Sequence, residues 1–133
     1  MKQILLTLIA IFAVGTANAN EDLAAAMKSM GEQFKTVALG LRAGKVTDVE
    51  LKATEQMQRD ISTSALIQPD TAKTTEEKLT YATWMAELMD ASLRLEDSME
   101  TAMDAEPQDL TEAIKIYTEM GELRKKGHNA FKE

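Results

Sequence analysis

Leu23, Met27, Met30, Phe34, Val37 and Leu41 recur at intervals of 4, 3, 4, 3 and 4 residues. Only an α-helix lines such positions up on one stripe, because a strand would need a period of 2. The stripe has the seam pattern of a helix that packs along other helices. Gly44 follows the last of these positions and is suited to ending the helix, which is expected over about Asp22 to Ala43.

Three further segments repeat the pattern. The second opens at Thr47, where Glu50 completes a capping box, and turns Ala53, Met57 and Ile61 inward before Pro69. The third opens at Thr74 with Glu77, a second capping box, and runs to about Met103 with Leu79, Trp84, Leu88, Leu95 and Met99 as its apolar positions. Pro107 marks the next turn. The fourth begins near Asp109 and carries Leu110, Ile114, Tyr117, Met120, Leu123, His128 and Phe131. Short connections between long helices favour antiparallel neighbours, so the expected fold is an all-α, antiparallel up-down-up-down four-helix bundle.

The first residues predict the compartment. Lys2 precedes an apolar run from Ile4 to Val14, and Ala17-Asn18-Ala19 fits a small-x-small cleavage rule. This is the pattern of a secretory signal peptide, and the apolar run is too short to span a bilayer. Residues 1–19 are read as the signal and 20–133 as one domain of 114 residues, periplasmic and not inserted in the membrane. Cleavage removes one charged side chain, Lys2, and takes the formal charge from −7 to −8. That surface argues against nucleic acid and suits a partner protein that is basic at the contact. With no cysteine in the chain there is neither a disulfide nor the C-x-x-C-H attachment motif of c-type haem.

Catalytic machinery is sparse, and no enzymatic activity is expected. A single histidine, His128, rules out a His-pair zinc site, and Lys125 stands where a bundle di-iron motif needs Glu. Neither a Gly-rich phosphate loop nor a nucleophile elbow is present. His128 shares a stripe with Phe131, Arg124, Gly121, Tyr117, Ile114 and Leu110, which is expected to face the core. Gly121 and Gly127 are poor helix residues, and beside a core-facing His they leave room for something flat and large. In an antiparallel bundle the end of the fourth helix lies beside the start of the first. Met27 is five residues from Asp22 and His128 five from Glu133, so both lie about 7.5 Å from the same end. Met30, one turn deeper, is the rival. Met is common core filler, but a His/Met pair is also an axial ligand set of electron-transfer haem.

Two stretches carry a resemblance. Asp22-Leu23-Ala24-Ala25-Ala26-Met27 and Arg124-x-x-x-His128 resemble the opening Asp-Leu-x-x-x-Met and closing Arg-x-x-x-His of the cytochrome b562 family. The match is colinear over residues 20–133, with low identity between those ends. It implies a periplasmic electron carrier holding one non-covalent haem b per chain, with Met27 and His128 as axial ligands. Pocket walls are then expected from Met30, Phe34, Ile61, Leu66, Trp84, Leu88, Gly127 and Phe131. Arg124 is expected at the haem edge or a propionate, its plain alternative being a helix-end cation. Gly127 departs from the aromatic residue expected before the histidine, and Trp84 serves equally as core filler. The competing expectation is a haem-free periplasmic bundle acting as a binding or stress-response module.

Overall fold

The computed structural model describes residues 19–131, and among these residues it is all helix and turn, with four helices and no strand. They are α1 (Ala19–Ala43), α2 (Asp48–Leu66), α3 (Thr75–Met103) and α4 (Thr111–Phe131). The signal-peptide reading lies outside the described residues but for Ala19. None of the described helices is long and apolar enough to cross a membrane.

Local chemistry sets the helix ends. Gly44, at φ +77°, closes α1: its N–H donates to Leu41 O at 3.1 Å and that of Lys45 to Gly40 O at 3.2 Å, the paired bonds of a Schellman motif. At the start of α2, Thr47 Oγ1 accepts from Val49 N and the Glu50 carboxylate accepts from Thr47 N at 2.7 Å. Thr74 and Glu77 exchange the equivalent bonds at 3.0 Å each to open α3. Hydrogen bonds from the Thr74 backbone N–H and then from its hydroxyl hold the Glu77 carboxyl below the usual carboxylate range. Asp109 Oδ1 accepts from Thr111 N where α4 begins.

Each helix packs mainly on its neighbours in sequence, and α1 and α4 meet much less closely than any successive pair. The core holds Val37 of α1, Met57 and Ile61 of α2, Leu88, Leu95 and Met99 of α3, and Met120 of α4, none more than 1% exposed. Tyr81 is buried with them and donates its hydroxyl to Ser64 O at 2.7 Å, joining α3 to α2. Two further links tie the connections. Gln108 donates to Val46 O and accepts from Val46 N at 2.9 and 2.8 Å, fastening the α3–α4 turn to the α1–α2 turn. Thr71 Oγ1 donates to Phe131 O at 3.1 Å, tying the α2–α3 turn to the end of α4.

Two sequence expectations are corrected. Leu79 does not face inward but is 67% exposed. The core stripe of α4 is Ala113, Ile116, Met120 and Gly127 rather than the stripe through His128. Ile114 is exposed and His128 lies at the surface. The buried stripe is offset by one residue, with Gly127 lying against Trp84 of α3.

Buried polar groups distinguish α2. Among the described residues Ser62 Oγ, Ser64 Oγ and Asp60 Oδ2 have no hydrogen-bond partner, while Gln56 Nε2 donates to Asp60 Oδ1 at 3.0 Å. Burial pushes the Asp60 carboxyl above its ordinary value of 3.8; Ser29, Gln56 and Arg59 pull it back, and Glu32 adds to the rise. A carboxyl whose pKa is higher folded than unfolded costs stability once both states are ionised, and the cost fades as pH falls through the folded pKa toward 3.8. Asp60→Asn is therefore expected to raise the melting temperature at pH 7, by an increment that shrinks on acidification. Thermal scans of both proteins from pH 7 to pH 4 check this, and a constant or growing increment would contradict it.

Candidate functional site

Where α1 and α4 meet, aromatic and glycine residues alternate. Phe34 stacks on Tyr117 with centroids 4.1 Å apart and planes at 12°. A Cβ on Gly121 would lie 3.7 Å from Phe34 Cζ, so glycine lets the phenyl ring rest against α4. The Arg124 guanidinium sits over the other side of this group, 4.5 Å from the Phe34 centroid. A Cβ on Gly31 would come within 3.3 Å of Arg124 Nη2, so Gly31 provides the space the guanidinium uses. Arg124 is half-buried, forms no ion pair among the described residues, and burial lowers its pKa. Burial likewise raises the Tyr117 phenol.

Met27 stands one turn before Gly31, half-buried and packed against the core. His128 stands one turn after Arg124. Its imidazole is exposed and makes no hydrogen bond among the described residues. Among the described residues its one ring contact is with Trp84, T-shaped at 6.2 Å and 68°. The stripe through His128 is thus the flank of α4 that turns to α1, beside the core rather than in it.

On the α3 side, Trp84 lies across Gly127 and donates Nε1–H to Leu123 O at 2.7 Å. A Cβ on Gly127 would overlap the six-membered ring of the indole. Phe131 stacks near-parallel on Trp84 at 6.0 Å and 20°, and Tyr81 meets both rings edge-on at 5.8 and 5.3 Å. The room expected beside Gly121 and Gly127 is therefore taken by two of the chain's own rings, Phe34 and Trp84.

The structure brings the expected site residues into two groups: Phe34 with Arg124, and Trp84 with Gly127, His128 and Phe131. Met30, Ile61 and Leu88 lie deep in the common core at 3%, 1% and 0% exposure, while Leu66 is half-buried at the end of α2. Sequence reasoning left Gly31, Tyr117 and Tyr81 out of the site. Gly31 and Tyr117 carried a signal, since they stand on the stripes of Met27 and His128. Among the described residues no three His, Cys, Asp or Glu side chains come together as metal ligands. A Met/His pair is outside that class of centre, because one donor is a thioether. No family model, curated protein or solved structure matches the chain.

The Trp84–Gly127 contact yields a sign test. Gly127→Ala gains about 1 kcal/mol of helix propensity but forces the indole aside, so a net loss of roughly 1–3 kcal/mol is expected. In a Trp84→Leu background the obstacle is gone and the same substitution should become stabilising. Urea unfolding of both singles and the double measures this, and a stabilising Gly127→Ala in the parent would contradict the contact.

Proposed function

We propose that this chain is a periplasmic electron carrier of the cytochrome b562 type. In this reading it is an antiparallel up-down-up-down bundle that holds one non-covalent haem b, with Met27 and His128 as axial ligands. One observation carries the reading: Arg124 packs against Gly31 and Phe34, and Gly121 and Tyr117 against Phe34. In antiparallel helices, one turn outward from this cluster leads to Met27 on α1 and to His128 on α4. The pairings of Ser64 with Tyr81 and Gln58 with Glu96, and of Trp84 with Leu123 and Arg94 with Glu119, support the antiparallel order, as each set runs in opposite senses along its two helices.

The donor side chains present suit the group, although Phe34 and Trp84 already take the room beside Gly121 and Gly127. Met27 offers a soft sulfur that is not sealed in the core, and His128 offers ring nitrogens with no competing partner. Arg124 is a half-buried cation lacking a carboxylate, which suits a propionate. Phe34 and Tyr117 give the seam an apolar inner wall, while Trp84 meets the imidazole from the α3 side. When bound, haem supplies a one-electron ferric/ferrous couple whose potential a thioether ligand raises. The net negative surface favours a redox partner that is basic at its contact.

Titration with ferric haem should give a saturating Soret band at one haem per chain and a low-spin spectrum, and all the haem should leave on acid-solvent extraction. Met27→Ala should turn the ferric spectrum largely high-spin and lower the potential. His128→Ala should weaken haem retention more severely. Met30→Ala, buried one turn deeper, should cost about 2–5 kcal/mol of stability and leave the low-spin spectrum intact. A chain that gains no Soret band would overturn the reading and leave a haem-free bundle.

A further inference from the structure

The charge of the chain is unevenly spread. Residues 48–106, which hold α2 and α3, carry 14 Asp or Glu against 5 Lys or Arg. Residues 19–45, with α1, carry 3 against 4, and residues 107–131, with α4, carry 4 against 4. The negative excess therefore belongs to the α2–α3 half, and in the other half the cations are gathered on one face. Lys28, Lys35 and Arg42 recur every seven residues, or two turns, and form a row about 21 Å long on α1. The Phe34–Tyr117 stack sets α4 alongside. Burial raises the Tyr117 phenol while the charges of Arg124 and Arg42 work against the rise, so Arg42 stands near this seam. On α4, Ile114 and Lys125 share the row of Gly121, the residue against which Phe34 rests. Lys28, Lys35, Arg42 and Lys125 are exposed, and none forms an ion pair among the described residues. Leu39, between Lys35 and Arg42, is 61% exposed and Ile114 47%.

Sign and width select the occupant. Four unpaired cations attract negative groups at close range, since salt screens the acidic half of the molecule beyond about 8–10 Å. Width excludes a broad anionic surface. Glu32 on α1 and Glu122 on α4, both exposed, take the next rows outward on each helix and would be pressed against it. A narrow acidic chain lying along the seam meets the cations and clears both carboxylates. Leu39 and Ile114 match apolar side chains set among its acids, as an interface places apolar contacts inside a polar rim. We propose that the α1–α4 face docks an acidic peptide segment of a partner protein, its carboxylates on Lys28, Lys35, Arg42 and Lys125 and its apolar side chains on Leu39 and Ile114. None of these six residues is assigned to haem, and the docking does not rest on haem binding. A basic partner is left the acidic α2–α3 half.

The probe is a fluorescent peptide of three Glu-Glu-Leu repeats, which extends over about 30 Å and so spans the row, added to the chain without haem. A saturable rise in anisotropy is expected, with affinity that falls as salt is raised. Lys35→Glu and Lys125→Glu should each weaken binding at least about tenfold, as each replaces an attraction with a repulsion. Leu39→Ser combined with Ile114→Ser should weaken it severalfold. Lys52→Glu makes the same change in net charge from an exposed position on α2 and should leave affinity within about twofold. Anisotropy that never saturates, or a Lys52→Glu protein as impaired as Lys35→Glu, would overturn the docking face. Sedimentation with phosphatidylglycerol vesicles that Lys35→Glu abolishes would overturn the acidic segment in favour of a membrane. Self-association in the ultracentrifuge that Lys35→Glu abolishes would overturn it in favour of a second copy.

Discussion

The indole of Trp84, laid flat on Gly127 and bonded to Leu123 O, is the contact on which one end of this molecule depends. It draws α3 and α4 together so closely that only glycine is tolerated beneath it. With α4 fixed in that rotation, Met120, Ile116 and Ala113 enter the core. Arg124 and Tyr117 are then turned toward α1, and His128 is left on the edge between the two faces. A bulkier residue at 127 would rotate or lift the last turns of α4, and the whole α1-facing flank would move with them.

The two sides of α4 are consequently unlike. Toward α3 it is held by a backbone-directed hydrogen bond and a group of rings at 5.3 to 6.2 Å. Toward α1 it is held by one stacked pair and a guanidinium over a phenyl ring, which are adaptable contacts. Stacking and cation–π contacts contribute about 0.5–1.5 kcal/mol each, far less than core burial. The surface ion pairs of Arg94 with Asp90 and Glu119 add little, because all three side chains are at least 44% exposed.

The features legible in the sequence were those decided within a few residues. Both capping boxes and the Gly44 stop stand where their side chains and φ preference put them, because the donors and acceptors are two to five residues apart. The stripe of α4 was harder. Counting back from His128 in steps of 3 and 4 gives a self-consistent helical face, but Ala113 and Gly127 look unremarkable beside Ile114 and Tyr117 as core residues. Asp60, Ser62 and Ser64 carry no burial signal, since only the pairing of α2 with both neighbours encloses them. Gly127 could be read as space, but which ring would claim it depended on a residue forty-three positions earlier.

The two ends of the bundle are also fastened differently. At one, the Gln108 side-chain amide grips both backbone groups of Val46 and locks two connections together. At the other, a single Thr71 hydroxyl reaches Phe131 O. The two connections at the Val46 end are thus joined backbone to side chain, while at the Met27 end α1 meets α4 through rings and a guanidinium. Parting α1 from α4 there would cost the Phe34–Tyr117 stack and the Arg124 contact but, among the described residues, no backbone hydrogen bond between the two helices, so this seam is the one through which the interior is most easily reached.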